Sequence, residues 1–212
     1  MTKLSSSLIF LAILGIAAGT ATAAYLNDSV TVEDNTFQAG SIQLNIGFST
    51  EYNNDIIAEE DLSTQPGTMF DFQDIKPGDS GVTTVTTHVS NNSGWKWILF
   101  NQTGSEGELA ENIEMDIFYD EDGTGEFNED DEMIHQGSLA DVENTLGQGY
   151  LLDGDTTTED EEPFTSSEEY YISFRWEIPE TVQNVDEDLK TFDLEFFAEQ
   201  SRHNPDPENP WN

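Results

Sequence analysis

Between Tyr170 and Ile178 every second residue is large and apolar: Tyr170, Ile172, Phe174, Trp176 and Ile178, with Pro179 ending the run. A repeat of two is the period of a β-strand that buries one face, whereas a helix needs apolar residues three or four apart. The pattern recurs along the chain. Ile42, Leu44, Ile46 and Phe48 alternate with Gln43, Asn45 and Gly47; Val85 and Val89 lie on one face of a Thr-rich run; Trp95 to Phe100 is heavily aromatic. Ile113, Met115, Ile117 and Tyr119 make another face, and Phe192, Leu194, Phe196 and Ala198 the last. Met69 to Phe72 reads as a further short strand. Pro77-Gly78 and Asn91-Asn92-Ser93-Gly94 supply turns, Pro presetting φ and Gly accepting a positive one. Each strand has one apolar face to cover, so about eight of them predict an all-β, jelly-roll-like two-sheet sandwich.

The remaining segments are polar. Residues 51–65, 120–132 and 153–162 read as acidic loops, and Ser105 to Asn112 as a helical turn. Ser138 is placed to cap a short helix carrying Leu139, Val142 and Leu146. One or two short helices therefore accompany the strands. The tail after Asn204 holds three prolines and reads as frayed. The expected organisation is a signal peptide at 1–23, an N-terminal arm at 24–34, one jelly-roll domain at 35–204 and a flexible tail at 205–212.

Charge sets the conditions under which such a sandwich would be stable. The chain has 44 Asp and Glu against 6 Lys and Arg, a net −38. No acid precedes residue 24 but Lys3 does, so the part beyond the leader carries 44 − 5 = 39 net negative charges. At a Debye length of roughly 8 Å in physiological salt these charges repel; at molar salt the length falls to about 3 Å and the repulsion is screened. The chain is expected to be a halophile's protein, with a melting midpoint that rises from dilute buffer to molar salt. Equal or greater stability at low salt in a thermal melt would overturn this. The same charge excludes nucleic acid and anionic membrane surfaces as partners. Cysteine is absent, which removes disulfides, thiolate zinc sites, cysteine nucleophiles and lipoprotein anchoring together.

The first 23 residues have the three parts of a secretory signal. Lys3 is the positive region, Leu8 to Ala18 the apolar run, and Ala21-Thr22-Ala23 the small-residue site for a signal peptidase, cutting between Ala23 and Ala24. The apolar run is short of the roughly 20 residues a membrane span needs. The segment after Ala23 is polar, which disfavours a pilin that keeps its apolar stretch. In the arm, Leu26, Asp28, Val30 and Val32 alternate against Tyr25 and Ser29.

No enzyme constellation is legible. His88, His135 and His203 are scattered, and neither a paired-histidine metal motif nor a nucleophile elbow nor a phosphate-binding glycine loop occurs. The best spacing for site chemistry is Asp120, Asp122, Thr124 and Glu126, with Asp131 about one ligand-loop length on. It suits calcium, Gly125 falling where an EF-hand loop turns. Position five is Thr124, position twelve is Asp131 and the flanks are strands, so a solvated acidic loop is the competing reading. Asn27, Asn91 and Asn101 begin N-x-S/T sequons and are candidate glycan sites.

Several stretches resemble the TasA/camelysin family of secreted matrix proteins. Ala24-Tyr25-Leu26-Asn27-Asp28 is similar to that family's mature N-terminus, an Ala-aromatic start followed by Asn-Asp. Thr36-Phe37-Gln38-Ala39-Gly40-Ser41-Ile42-Gln43-Leu44 is similar to the run that opens its first strand. Ile75-Lys76-Pro77-Gly78-Asp79 and Asn91-Asn92-Ser93-Gly94 resemble its Leu-Lys-Pro-Gly-Asp and Asn-Asn-Gly-Ser stretches, and Phe192 to Asn204 resembles the ends of haloarchaeal members. Residues 102–163 carry no matching motif. The resemblance implies a jelly roll that polymerises with itself into extracellular fibres or bundling pili by donor-strand complementation. The metalloprotease assignment attached to the camelysin name finds no support in these residues.

Two functions are thus expected in order. The first is a structural subunit of an extracellular fibre or biofilm matrix in which Tyr25, Leu26, Val30 and Val32 belong to a donated strand. The second is a monomeric secreted or S-layer-associated binding module, stabilised by calcium.

Overall fold

A computed structural model describes residues 41–102, 108–183 and 191–211, which belong to one unit, Gly40–Asn212. The expected signal, the cleavage pair Ala23 and Ala24, the arm and the Asn27 sequon lie outside the described residues.

Among the described residues nine strands run in the order β1 Gln43–Tyr52, β2 Asp55–Ser63, β3 Ser80–Ser90, β4 Gly94–Gln102, β5 Glu114–Tyr119, β6 Glu132–Ser138, β7 Tyr150–Leu152, β8 Tyr170–Glu177 and β9 Phe192–Gln200. Helix α1, Glu108–Asn112, precedes β5, and a 3₁₀ turn, Leu139–Asp141, leads into α2, Val142–Leu146. They form two antiparallel sheets, one ordered β2-β1-β3-β8-β5-β6 and the other β7-β4-β9. The architecture is the all-β, β-sandwich-like one that the alternation predicts, divided unevenly between six strands and three.

Alternation decides what goes inside. Val85 and Val89 from β3, Ile172, Phe174 and Trp176 from β8, and Ile98 and Phe100 from β4 are buried in one core. Val142 and Leu146 of α2 belong to the same core. Ser138 caps the 3₁₀ turn as the sequence predicts, its hydroxyl accepting from the Asp141 N–H. Lys76 to Asp79 forms the expected turn, with Gly78 at φ +92° and the Asp79 N–H donating to the Lys76 carbonyl.

Four expectations need correction. Residues 51–65 are not a loop: β1 continues to Tyr52 and β2 occupies Asp55–Ser63. Asn53 and Asn54 both have positive φ, 49° and 70°, the geometry of a two-residue hairpin whose twist matches the strands. β2 reads as loop because it is an edge strand, and exposed acidic residues blunt an edge against further pairing. Met69 to Phe72, by contrast, is irregular chain that fills the core with Phe70 and Phe72. Its Met69 carbonyl is satisfied by the Thr50 hydroxyl at 2.8 Å rather than by a ladder. Strands β6 and β7 leave no mark on the alternation, being short and lacking a clean apolar face. Finally, the tail is not frayed. The Trp95 indole N–H donates to the Asn204 carbonyl, Asn209 Nδ2 to the Gln148 carbonyl at 2.6 Å, and Trp211 lies against Phe197. The tail straps the outer face of the three-stranded sheet because that face is aromatic.

Candidate functional site

Strand β9 is where the smaller sheet ends. Its inner side pairs with β4 over nine residues, Gly94 opposite Gln200 through to Gln102 opposite Phe192. Its outer edge has no partner strand among the described residues. The side chains that β9 turns inward, Phe192, Leu194, Phe196 and Ala198, are only partly buried, whereas Ile98 and Phe100 on β4 are fully so. Ile42 and Leu44 of the first strand region are partly buried as well. Among the described residues the apolar row along β9 is thus only partly covered, and no strand pairs with its outer edge.

Behind that row stands Lys96, which belongs to none of the sequence motifs. It is on β4, opposite Ala198 on one side and Leu152 on the other, and is 1% exposed. Its ammonium donates to Thr87 Oγ1 at 2.6 Å and lies 3.6 Å from the centre of the Phe164 ring and 4.6 Å from that of Tyr170. Among the described residues the ion pairs are Lys76–Asp79 and Arg175–Asp116, so Lys96 faces no carboxylate. Burial pushes its amine well below the ordinary lysine range. The signal that could have found it is a single basic residue inside Trp95-Lys96-Trp97-Ile98, at a position whose alternation calls for an apolar side chain.

The acidic loop after β5 is built differently from the cation loop its spacing suggests. Asp120 is 1% exposed and turns back onto the sheet. Its Oδ2 accepts from Gly125 N at 2.8 Å and from Ser173 Oγ at 2.6 Å, and its Oδ1 from Thr124 N at 3.1 Å. Ser173 is in turn 2.8 Å from Thr84 Oγ1, which ties the loop to β8 and β3. Gly125, at φ +77°, lets the loop lie against Val82 and Thr84 where a Cβ would crowd them. Asp122 accepts from the Thr124 hydroxyl and N–H, which hold its carboxyl below the usual range. Asp131 accepts from Glu121 N and Asn128 N. Glu126 is exposed. Asp120, Asp122 and Asp131 therefore serve backbone N–H groups, as Asx turns do, and among the described residues no three acidic or histidine side chains converge to hold a metal.

Asn91 and Asn101 are both exposed, Asn91 in the β3–β4 turn at φ 71° and Asn101 near the end of β4. A groove of about 850 Å³ on the outer face of the six-stranded sheet is lined by Glu51, Glu114, Glu126 and Glu177, and its Arg175 is held by Asp116 at 2.6 Å. His135 is buried beside Thr145, while His88 and His203 stand on β3 and in the tail, so the three histidines share no site. No protein-family model matches this chain, and no curated protein matches it.

Proposed function

We propose that this chain is a secreted, salt-adapted structural subunit of an extracellular fibre or matrix, assembling head to tail with copies of itself. The arm at 24–34, freed by signal peptidase, adds as a strand to β9 of the next copy. The observation that carries this reading is the β9 edge: nine residues long, unpaired on its outer side among the described residues, with a half-covered apolar row beneath it. A strand laid there completes a ladder and fills the row with its alternate side chains, which is how strand addition gains affinity and specificity together. Leu26, Val30 and Val32 supply those side chains. One copy donates and a different surface accepts, so the contact does not close on itself and propagates as a filament. The resemblance to fibre-forming matrix proteins points the same way.

The test is electron microscopy of the secreted protein in molar salt. Filaments are expected from the chain beginning at Ala24, and none after deletion of Ala24 to Asp34. Filaments from the truncated chain would sink donation by this arm. A full chain that stays monomeric at every salt concentration would favour a monomeric binding module instead.

A further inference from the structure

Three residues, Asn91, Asn92 and Ser93, carry the chain from β3 in the six-stranded sheet to β4 in the smaller one. The crossing is held on both sides. Asn92 Nδ2 donates to the Ser41 carbonyl at 2.6 Å, and the Ser93 carbonyl accepts from the N–H and the hydroxyl of Ser201, each at 3.2 Å. Gly94 then pairs backbone to backbone with Phe164. Two groups of the crossing are left over, the Asn91 carboxamide and the Ser93 hydroxyl. Both residues are exposed, and neither group is hydrogen-bonded among the described residues. These are the two groups by which an N-x-S/T sequon is read. Resting on the reading of the chain as secreted, we propose that Asn91 is the N-glycosylated residue of the folded domain, taking an oligosaccharide from a lipid-phosphate carrier.

Conformation accounts for the asparagine but not for the serine. Asn91 has φ 71°, a region that asparagine enters more readily than most residues, so the turn alone would explain its presence. The Ser93 hydroxyl holds nothing in the fold, since Ser93 serves Ser201 through its carbonyl. The site also stands clear of the ladders. Pairing along β3 stops at Ser90, opposite Gln43, and pairing along β4 begins at Gly94, opposite Gln200. Asn101 differs on this point. It lies within β4 opposite Asp193, so a transferase acting on the folded chain must break ladder bonds to seat it. Its Thr103 lies outside the described residues. The transfer itself balances simply. Asn91 Nδ2 bonds to C1 of the sugar, and the bond from C1 to the carrier's phosphate oxygen breaks, the phosphate keeping the electron pair. One Nδ2 proton passes to a carboxylate of the transferase. The sugar, a bulky and solubilising group, then leaves from the end of β3 and not from the outer edge of β9, so it is compatible with strand addition.

The experiment is mass spectrometry of the protein recovered from outside the cells that make it. Cleavage after Lys96 and after glutamates puts Asn91 and Asn101 on separate peptides. The Asn91 peptide is expected to carry the added mass of a glycan and the Asn101 peptide to carry none. Ser93→Ala should remove that mass completely, and Ser93→Thr, which keeps the hydroxyl, should retain it. Both variants leave Asn91 and its positive φ in place, and melts in molar salt that match the natural chain show that they fold. A bare Asn91 in the secreted protein, a mass increment that survives Ser93→Ala, or a glycan on Asn101 in its place would overturn the proposal and leave secretion standing. A chain kept inside the cell with residues 1–23 still attached would overturn both.

Discussion

Lys96→Met is expected to raise the stability of the folded subunit by about 1–4 kcal/mol, the range found when buried ion pairs give way to apolar residues of similar volume, since a lone ammonium carries the desolvation cost with no carboxylate to offset it. For a chain of this size each kcal/mol shifts the melting midpoint by about 2–4 °C. Methionine keeps the length of the side chain and its contact with Phe164 and Tyr170. Thr87 is left with a use for its hydroxyl, which donates to the Tyr170 carbonyl at 3.3 Å. The pH dependence carries the diagnosis. Burial lowers the Lys96 amine in the fold, while in the unfolded chain it titrates near 10.5. Between the two values the unfolded chain binds the extra proton, so stability rises with pH there and is lost as pH falls toward the folded value. Above 10.5 both states are neutral and the penalty is gone. The useful window ends near pH 10, where tyrosines of the unfolded chain begin to ionise. Burial and Asp79 push the Tyr52 hydroxyl up to about 12 and burial raises Tyr119 further, so alkali destabilises through them. From neutral to about pH 10 the natural chain should gain stability and Lys96→Met should gain less. Identical slopes in chemical denaturation would show that the amine does not titrate in the core.

Burial writes a pattern into a sequence only where it is one-sided. β3, β4, β8 and β9 are readable because one face of each is packed, and packing enforces a period of two. β2 is not, because an edge strand with Ile56 62% exposed and acids alternating beside it carries no core face. Its marker is Asn53-Asn54, a turn signal within an otherwise featureless acidic run. Met69 to Phe72 shows the converse failure. Its apolar residues do belong to the core, yet they form no strand, since irregular chain can bury Phe70 and Phe72 as well as a ladder can. The acidic loop misleads for a third reason. Ligand spacing is a statement about which residues are near in sequence, and the carboxylate that matters most turns away from solvent to meet Ser173, 53 residues further on. Lys96 is hidden by its type: a lysine reads as surface, and only its neighbours on β4 say otherwise.

Asp120→Ala is expected to cost about 2–4 kcal/mol, which in a marginally stable domain is a large part of the whole. The carboxylate has no solvent-exposed role to lose. Its removal strips an acceptor from each of Gly125 N, Thr124 N and Ser173 Oγ; Thr124 N keeps Asp122 Oδ1 and Ser173 keeps Thr84 Oγ1, so the buried Gly125 N–H is the donor left unpaired. A buried donor left without a partner costs about 1–3 kcal/mol. Asp120→Asn should fall between, since the amide keeps one acceptor oxygen but turns N–H groups toward at least one existing donor. The loss should be local first: the loop over Val82, Thr84 and Tyr171 should loosen, read as faster hydrogen exchange at Gly125 and Thr124 before the core strands change. Chemical denaturation in molar salt measures the total. If Asp120→Ala melts with the natural chain, the loop is not anchored through this residue. Calcium supplies the complementary measurement. Because Asp120, Asp122 and Asp131 are committed to backbone N–H groups, millimolar calcium in molar salt is expected to leave the melting midpoint where it was. A rise of several degrees that Asp120→Ala abolished would mean that the loop reorganises around the ion, its carboxylates exchanging their amide partners for the metal.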